Sequence, residues 1–319
     1  MAKDASGESR AGVPLTNLDQ PLFDGAGFTK RALVEYLDGV RDRLLPELID
    51  RPLSVIRVHR GQEAFMQKNV PKGTPEWVQT VELWAETSKR KVAYALCNDR
   101  RTLVWFANQR AMELHPSLAR LPDLDRPTHL VIDLDPPEGD GFPAAVQVAH
   151  AVHEVLDDAG LEGAVKTSGA KGLHVFVPIA ADVDGAQAAA ATRALAARVE
   201  RLAPDIATTA FVKDEREGKV FVDSTRGAGA TVVAAPRPRL RPGVPVSFPV
   251  AWADLDDVAP ADFTLGNALE RLGDRDPWAE AMPAPQRPAA DLVEEGRAIP
   301  VARVQAMHEG KRRARSSKR

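Results

Sequence analysis

The sequence contains little of three features that mark particular classes of protein. Cys97 is its only cysteine, which excludes an internal disulfide framework and a zinc site built from several cysteines. No apolar run approaches the ~20 residues that a membrane-spanning helix needs. Residues 1–12 are polar and mixed in charge, without the apolar stretch of a signal peptide. We therefore expect a cytoplasmic protein without a membrane partner.

A strong excess of one charge is also missing. The chain has 42 basic and 45 acidic residues and a formal net charge of −3, which alone does not suggest a nucleic-acid-binding protein. However, residues 311–319 hold six basic residues and no acidic one, so the rest of the chain is more acidic than the total. An acidic body that handles a polyanion needs metal ions or a local basic groove.

Apolar residues make up 44% of the 319 residues, which is enough for one large domain or two modest ones. The predicted parts are a disordered leader (1–12), an α/β part (13–127), a better-ordered core (128–282) and a Pro/Ala-rich, then basic tail (283–319), with 13–282 forming one domain. In the α/β part, a helix is predicted from Thr29, which can cap it, up to Pro46. β-rich runs predict strands at 53–58, 92–96 and 102–106.

The core alternates strands and helices in a defined order. Its predicted elements are a strand at 129–134, a helix from Pro143 to Gly160, strands at 164–167 and 173–177, a helix from Asp184 to Pro204, and strands at 219–223 and 231–233. Strand, helix, two strands, helix, strand is the split order of ferredoxin-like domains, in which the last strand lies beside the first. Because many unrelated functions share this architecture, it predicts the fold and leaves the chemistry open.

Three aspartates end strands of this predicted sheet. Asp133 and Asp135 stand two residues apart on one strand, so both carboxylates project to the same face. Asp223 ends the strand expected next to them. Carboxylate oxygens favour magnesium or manganese, and three of them can complete a two-metal site for phosphoryl transfer. The alternative is that these aspartates only end strands, because Asp-Pro commonly opens a turn.

The loop of residues 168–172 reads SGAKG and precedes His174. Its glycines allow the backbone to approach an anion, Ser168 offers a hydroxyl and Lys171 a mobile positive charge. A phosphate-gripping loop beside a metal site fits a nucleoside triphosphate, although the spacing is not that of a Walker motif. An ordinary hairpin turn is the alternative for the loop alone.

A run of arginines follows Asp223: Arg226, Arg237, Arg239 and Arg241. Guanidinium groups on a proline-extended segment bind phosphates well, and the alternative is a solvated basic loop. Outside this region the residues give weaker signals. His115 is as compatible with a structural role as with a catalytic one, and Phe65 and Lys68 can stack on and pair with a nucleic-acid strand or belong to an ordinary half-buried surface.

Three motifs, HLVIDLDPPEG, KTSGAKGLHVFVP and GKVFVD, stand in this order in the chain. They closely resemble the polymerase domain of bacterial ligase D, a member of the archaeo-eukaryotic primase superfamily. The resemblance extends over about residues 13–280 through LTNLDQPLF, RPLSVIRVHRG, AFMQKNVP, TLVWFANQRAMELHP and RLRPGVPVSFPVAW. It implies an α/β fold whose catalytic core is ferredoxin-like, of the primase type, with an N-terminal α/β subdomain.

The same resemblance implies site residues and ligands. Two Mn²⁺ or Mg²⁺ ions would be held by Asp133, Asp135 and Asp223. Residues implied to contact the nucleoside triphosphate are Ser168, Lys171, His174, His115, Arg226, Arg239, Arg241 and Arg216. Residues implied to bind DNA and its 5′-phosphate are Asn17, Lys30, Phe65 and Lys68.

The chain also departs from the family pattern at several positions. Gln20 replaces a lysine that contacts the downstream 5′-phosphate, which weakens that charge-assisted bond. Met66 replaces the second of two aromatic residues thought to stack near the DNA. Residues 236–238 read PRP in place of a Tyr-Ser stretch, and residues 224–232 lack the usual asparagine and lysine but contain Arg226. The departures leave the predicted metal ligands intact and put gap and end recognition in doubt.

By resemblance, the activity expected is DNA-directed nucleotide addition to a primer 3′-hydroxyl at gaps or broken ends, as in non-homologous end joining. We expect a monomer that acts on DNA in the bacterial nucleoid. Without a Lys-x-Asp-Gly motif, it would rely on a separate ligase and on the end-binding protein Ku. Three alternatives stay open: a primase that starts strands de novo, a non-catalytic paralogue that binds DNA ends or Ku, and a sugar-phosphate enzyme that shares only the shape.

Overall fold

The computed structural model describes residues 5–59, 62–85, 89–139, 141–226 and 236–301. Its strands are β1 (Ala5–Arg10), β2 (Val13–Thr16), β3 (Pro52–Arg57), β4 (Phe65–Gln67), β5 (Thr80–Ala85), β6 (Arg90–Leu96), β7 (Ala111–Pro116), β8 (Ala119–Arg120), β9 (Asp123–Pro127), β10 (His129–Asp135), β11 (Ala164–Thr167), β12 (Leu173–Pro178), β13 (Ala207–Thr208), β14 (Val220–Asp223), β15 (Arg237–Pro238), β16 (Val246–Ser247) and β17 (Pro249–Val250). Its α-helices are α1 (Lys30–Gly39), α2 (Arg41–Leu44), α3 (Arg100–Asn108), α4 (Phe142–Asp158), α5 (Gly185–Leu202), α6 (Ala268–Leu272), α7 (Pro277–Ala281) and α8 (Ala290–Ala298).

A six-stranded sheet forms the centre of the core, in the order β13-β14-β10-β12-β11-β17. Strand β10 pairs antiparallel with β12 on one side and with β14 on the other. Helices α4 and α5 contact each other and β10, so both cover the same face of the sheet. The predicted ferredoxin-like order is therefore confirmed, with β14 beside the first strand of the unit.

The sequence explains why the core elements form where they do. In β10 the apolar side chains of residues 130, 131, 132 and 134 are all fully buried, which a central strand with both faces covered requires. Helix α4 begins with Pro143 in its first turn, where a missing N–H costs nothing. Helix α5 begins with a capping box, in which Asp184 accepts the N–H of Gln187 and the Gln187 side chain returns to Asp184.

A second sheet carries the N-terminal part, in the order β4-β3-β6-β5 with β7 paired to β3. The strand predicted at 102–106 is wrong, because these residues belong to helix α3. The Asp99 side chain accepts the Thr102 N–H and caps the helix. Leu103, Val104 and Phe106 are then buried as a helical face. Their β-branched and aromatic character indicated a strand, whereas the cap and the packing determine a helix.

The helix predicted from Thr29 is present as α1 and α2. Thr29 occupies the N-cap position, but its side chain makes no capping hydrogen bond, so that part of the prediction is wrong. A main-chain hydrogen bond is present at the start of the helix, because the Lys30 N–H donates to the Gln20 carbonyl oxygen. Leu33, Val34 and Leu37 are fully buried against the rest of the domain.

Residues that were predicted to form a disordered leader and a tail contain a strand and a helix in the structure. Residues 5–10 form β1, which pairs antiparallel with β2. Residues 290–298 form α8, which packs on α5, with Glu295 accepting from Arg198 at 2.7 Å. Backbone pairing and helix packing thus extend the ordered body beyond both predicted boundaries. The strand predicted at 231–233 and the basic residues 311–319 lie outside the described residues.

Across the described part of the chain, no helix has both the length and the apolar character that a membrane crossing demands.

One ion-pair cluster joins α1, α3 and β1 and gives a stability prediction. Asp38 accepts two hydrogen bonds from Arg100, at 2.7 and 2.9 Å, and lies 3.5 Å from Arg10. The Arg100 bonds hold the pKa of Asp38 below its ordinary value, although partial burial acts in the opposite direction. A depressed carboxyl pKa contributes stability above the unfolded-state pKa, which is lost as the pH falls through the folded-state pKa.

We expect Asp38→Asn to lower the free energy of unfolding by about 1.5–3 kcal/mol at pH 7. The difference from the parent protein should shrink as the pH falls from about 4 through the lower folded-state pKa of Asp38, because the parent then loses the charge as well. Urea unfolding at pH 7 and at acid pH measures both quantities. A destabilisation that is the same at the two pH values would contradict the electrostatic assignment.

Candidate active site

The three predicted aspartates converge on adjacent strands. Asp133 and Asp135 lie on β10, and Asp223 ends β14 directly opposite Asp133 in the antiparallel register. Directly opposed residues have Cβ atoms about 4.5–5.5 Å apart. Two such carboxylates repel each other unless a cation lies near both. This end of the central sheet is therefore an acidic site that requires positive charge.

Arg226 supplies positive charge to two of the carboxylates at once. Its Nη2 donates to Asp133 Oδ2 at 2.9 Å, and its Nε lies 3.3 Å from Asp223 Oδ2. The other oxygen of Asp223 accepts from the backbone N–H and the hydroxyl of Thr225, at 2.8 and 2.6 Å. One guanidinium thus bridges Asp133 and Asp223.

Asp135 is held by two different cations. Lys171 Nζ lies 3.1 Å from Oδ1, and Arg216 Nη1 donates to Oδ2 at 3.1 Å. Partial burial would lower the pKa of Lys171, but its bonds to Asp135 and Glu138 outweigh that effect and raise it. Arg216 also stacks over Phe221, with its Cζ 3.9 Å from the ring centroid. Both cations are thus fixed at the rim of the acidic site.

The loop of residues 168–172 closes on itself beside β10. Ser168 Oγ accepts the N–H groups of Ala170 and Gly172, both at 3.1 Å, and the Ser168 N–H donates to the Gly172 carbonyl at 2.8 Å. Gly169 has a positive φ of 66°, which favours glycine. Gly172 packs against the Leu134 carbonyl so closely that a Cβ would overlap it. The loop is thus a tight turn that projects Lys171 toward Asp135.

His174 stands on β12 as the direct register partner of Asp133. Its Nε2 lies 3.4 Å from Asp133 Oδ1, and its Nδ1 lies 2.8 Å from the ammonium nitrogen of Lys166. Burial, together with the Lys166 charge, lowers the pKa of His174 to about 4 despite Asp133. Burial alone would raise the pKa of Asp133, but His174 and Arg226 hold it below its ordinary value.

His115 lies on β7 and is bound to a carboxylate that the sequence analysis missed. Its Nε2 is 3.0 Å from Glu113 Oε2, and Arg239 Nη1 lies 3.4 Å from the same oxygen. The other Glu113 oxygen accepts the Leu240 N–H at 2.9 Å. Burial lowers the pKa of His115, with Glu113 acting in the opposite direction. The position of Glu113, two residues before a candidate histidine on one strand, was the signal available in the sequence.

Ten of the predicted site residues line one cavity of about 370 Å³. These are Asp133, Asp135, Ser168, Lys171, His174, Arg216, Asp223, Arg226, Arg239 and Arg241. His115 stands behind this lining and reaches it through Glu113 and Arg239. Arg237, grouped with the other arginines by sequence, is instead fully buried, and its guanidinium has no hydrogen-bond partner in the described ranges.

Of the four residues expected at the DNA, Asn17 and Lys30 line a second cavity, of about 520 Å³, whereas Phe65 and Lys68 lie outside its lining. Its polar lining includes Asn17, Gln20, Lys30, Arg57, His59 and Arg110. Lys30 is buried and its ammonium donates to the Thr16 carbonyl oxygen. Phe65 stacks on His59 at a centroid distance of 5.2 Å and is 38% exposed. Lys68 is exposed just beyond β4.

Within the described residues, no group of three or more His, Cys, Asp or Glu side chains is arranged to hold a metal ion. The predicted ligands are instead paired with cations. Their chemistry still fits a divalent ion, because Asp133 and Asp223 direct one oxygen each to the single cation Arg226. Carboxylate oxygens of this kind are the ligands that magnesium and manganese prefer.

Fold and site together define a class. A mixed sheet of ferredoxin-like order, with aspartates on its central strands under an arginine-rich cavity, has the groups that nucleotidyl transfer requires. The family model of the LigD primase-polymerase domain matches residues 29–278, and the chain belongs to this family. The predicted fold class and family resemblance are both confirmed, and nucleotidyltransferase activity is what the family implies.

Individual relatives agree with this assignment. The multifunctional non-homologous end joining DNA repair protein LigD of Mycobacterium tuberculosis is 32% identical over 295 residues, covering 88% of this chain and 38% of the relative. The bifunctional LigD of Bacillus subtilis is 31% identical over 265 residues, covering 82% and 42%. The solved polymerase domain of M. tuberculosis ligase D in complex with DNA superposes with a TM-score of 0.76 at 32% identity, covering 84% of this chain and 96% of that one. The chain thus spans less than half the length of these full-length relatives.

Proposed function

We propose that this protein is a DNA-directed polymerase that adds nucleotides to a primer 3′-hydroxyl at gaps or broken ends. The observation that carries the proposal is the convergence of Asp133, Asp135 and Asp223 on one cavity that also contains four arginines and a lysine. Carboxylates that can hold metal ions, next to basic side chains that can bind phosphates, are what transfer of a nucleotidyl group requires. The solved relative in complex with DNA supports DNA as the substrate.

In this proposal the chain's cations bind the incoming triphosphate. Lys171 and Arg216 stand beside Asp135, and Arg239 and Arg241 face the same cavity. Positively charged groups fixed before the reaction stabilise the charge that develops on the phosphates without reorganising. Ser168 and His115 would mainly hold the shape of the site, because the Ser168 hydroxyl is bound to its own loop and His115 is bound to Glu113.

Two Mn²⁺ or Mg²⁺ ions fit the same proposal, held by Asp133, Asp135 and Asp223. When bound, they would lower the pKa of the primer 3′-hydroxyl and neutralise the pyrophosphate leaving group. The protein's own contribution is to hold the carboxylates on adjacent strands. Arg226 reduces the repulsion between Asp133 and Asp223 by bridging them.

The second cavity is the proposed site of the DNA end. Asn17 and Lys30 line it, and the Gln20 side-chain oxygen accepts from Arg110 Nη2 at 2.8 Å. Because Gln20 is uncharged, it alone predicts weak binding of a downstream 5′-phosphate. Its bond to Arg110 instead places a guanidinium at the same cavity, and this favours retention of a charge-assisted phosphate contact. Phe65 and Lys68 would contact the template beyond His59.

The proposed biological role is repair of broken DNA by non-homologous end joining. It rests on the relatives, all of which are named end-joining proteins. In this role the domain would act as a monomer on DNA in the nucleoid, with Ku recruiting it and a ligase activity sealing the product.

The experiment that tests the function is extension of gapped, nicked and unprimed templates, each with ribonucleotides or deoxyribonucleotides and with Mg²⁺ or Mn²⁺. We expect incorporation on the gapped template that depends on a divalent ion. Incorporation on the unprimed template would favour a de novo primase. Binding of DNA ends without incorporation under any condition would favour the non-catalytic paralogue and would overturn the proposal.

A 5′-phosphate in the gap is expected to accelerate incorporation roughly 10- to 100-fold, because one charge-assisted hydrogen bond stabilises by about 1.5–3 kcal/mol. Arg110→Gln should bring the ratio between phosphorylated and hydroxyl-ended gaps close to one. Single-turnover incorporation on the two otherwise identical substrates measures this ratio.

The matched control is Arg287→Gln, because Arg287 is an exposed arginine that pairs only with Asp182 among its charged neighbours in the described ranges. This variant should keep the parent ratio. An Arg110→Gln protein that responds to the 5′-phosphate as strongly as its parent would show that Arg110 does not contact it.

A further inference from the structure

Lys166 is a fully buried lysine that the proposed chemistry does not use. It lies on β11, behind the cavity rather than in its lining. Its side-chain Nζ donates to Ser247 Oγ at 2.6 Å and lies 2.8 Å from His174 Nδ1. Burial lowers the pKa of Lys166 well below the ordinary value for lysine. Burying a lysine is costly compared with an apolar side chain of similar volume. A packing role alone therefore does not account for a lysine at this position.

The hydrogen bonds around Lys166 have a defined direction. Ser247 Oγ donates its single hydrogen to the Thr167 carbonyl oxygen at 2.8 Å, so this oxygen can only accept from Lys166. At the other end of the chain, His174 Nε2 faces Asp133 Oδ1 at 3.4 Å. An ionised carboxylate only accepts hydrogen bonds, so the approach of Asp133 favours a hydrogen on Nε2.

A neutral imidazole with its hydrogen on Nε2 has a lone pair on Nδ1. After its bond to Ser247, the Lys166 amine keeps a further N–H in either protonation state and donates it to that lone pair. The contacts at both ring nitrogens are then consistent with the same tautomer. The same hydrogen on Nε2 points toward the cavity in which the triphosphate is proposed to bind. Without a donor behind the ring, Nδ1 could carry the hydrogen and Nε2 would present a lone pair to Asp133 and to phosphate oxygens, which repels both.

We propose that Lys166 is a positioning residue that fixes the Nε2–H tautomer and the orientation of His174, so that His174 donates a hydrogen bond into the nucleotide site. The mechanism is the one by which outer-shell partners orient histidines at other sites, where their loss costs about 10–100-fold in affinity or activity. The part that concerns the nucleotide rests on the proposed polymerase function, whereas the tautomer of His174 does not.

The tautomer is tested on the full chain without substrate, by imidazole ¹⁵N nuclear magnetic resonance at neutral pH. The seven histidines give separate signals, and loss of one set in His174→Gln assigns His174. We expect a hydrogen-bearing Nε2 and a bare Nδ1 in the parent protein. Lys166→Met, which keeps the length of the side chain and removes the donor, should give a mixture of tautomers.

The consequence for the reaction is tested by steady-state incorporation. Lys166→Met is expected to raise the nucleotide KM about tenfold and to change kcat less than threefold. The reason is that His174, whose orientation is lost, is proposed to contact the bound nucleotide and not the primer. Lys91→Met is the matched control, since Lys91 is an exposed lysine on β6, and it should change KM less than twofold.

Three results would overturn the proposal: a parent His174 with its hydrogen on Nδ1, a parent His174 with hydrogens on both nitrogens, or a pure Nε2–H tautomer that persists in Lys166→Met. If Lys166→Met does not fold, the spectrum of the parent protein alone still decides between the tautomers. Failure of the parent to extend primers, with the expected spectrum, would count against the polymerase function and not against the role of Lys166.

Discussion

Asp133→Asn is expected to reduce nucleotide incorporation on a gapped duplex by on the order of 10³-fold or more. In the proposed function Asp133 would help to hold the metal ions, whose charge stabilisation in the transition state is worth several kcal/mol, and each 1.36 kcal/mol is a factor of ten in rate. The asparagine keeps the shape of the side chain and removes the charge that faces Arg226 and His174. Single-turnover incorporation at saturating metal and nucleotide measures the loss.

The fold should survive this substitution. Arg226 keeps its contact with Asp223, so no cation is left wholly unpaired at the site. The matched control is Asp182→Asn, which removes an exposed carboxylate paired with Arg287 at 3.0 Å and should leave incorporation unchanged. Equal incorporation by Asp133→Asn and the parent protein would refute the assignment of this residue to the metal site.

Gly172→Ala is expected to have the second-largest effect, through the backbone. A Cβ at this position would overlap the carbonyl oxygen of Leu134 on β10 and crowd Pro136, which follows that strand. The loop of residues 168–172 then has to move away from β10, and Lys171 moves with it. We expect a destabilisation of about 3 kcal/mol, near the upper end for overpacking. A displacement of about 1 Å can cost on the order of 10²-fold in rate.

Gly160→Ala is the control that separates crowding by the added Cβ from other effects of replacing a glycine. Gly160 has a φ of +63°, and a Cβ there would have no neighbour within 4 Å. The left-handed conformation alone costs an alanine roughly 1–2 kcal/mol, and Gly160 is not part of the cavity lining. Urea unfolding and single-turnover incorporation separate the two variants. A Gly172→Ala protein as stable and as active as its parent would show that the loop does not need this close approach.

Much of the site was predictable because it depends on short-range geometry. The two-residue spacing of Asp133 and Asp135 fixes them on one face of a strand. The ferredoxin-like order then brings Asp223 beside them and His174 to the other side, as the register confirms. These steps require only strand periodicity and a topological rule, both of which can be read from the sequence.

The partners of these residues were not predictable in the same way. Arg226 and Asp133 are 93 positions apart, and Glu113 and Leu240 are 127 apart. Their contacts depend on side-chain rotamers and on the exact approach of segments that no local pattern specifies. The error at 102–106 has a different cause, because a capping aspartate and tertiary packing outweigh the strand preference of Val104 and Phe106.

Helix α8 packs so closely on α5 that it extends the folded domain toward the C-terminus. Gly296 lies so close to the Ala190 carbonyl that a side chain there would overlap the backbone of α5, and Leu292 and Val293 are buried in the same contact. The two helices therefore approach at the minimum distance that a missing side chain permits. A protein shortened at residue 283 would leave the alanine-rich surface of α5 in water and remove the carboxylate that Arg198 binds. Helix α8 is for this reason part of the packed body of the domain.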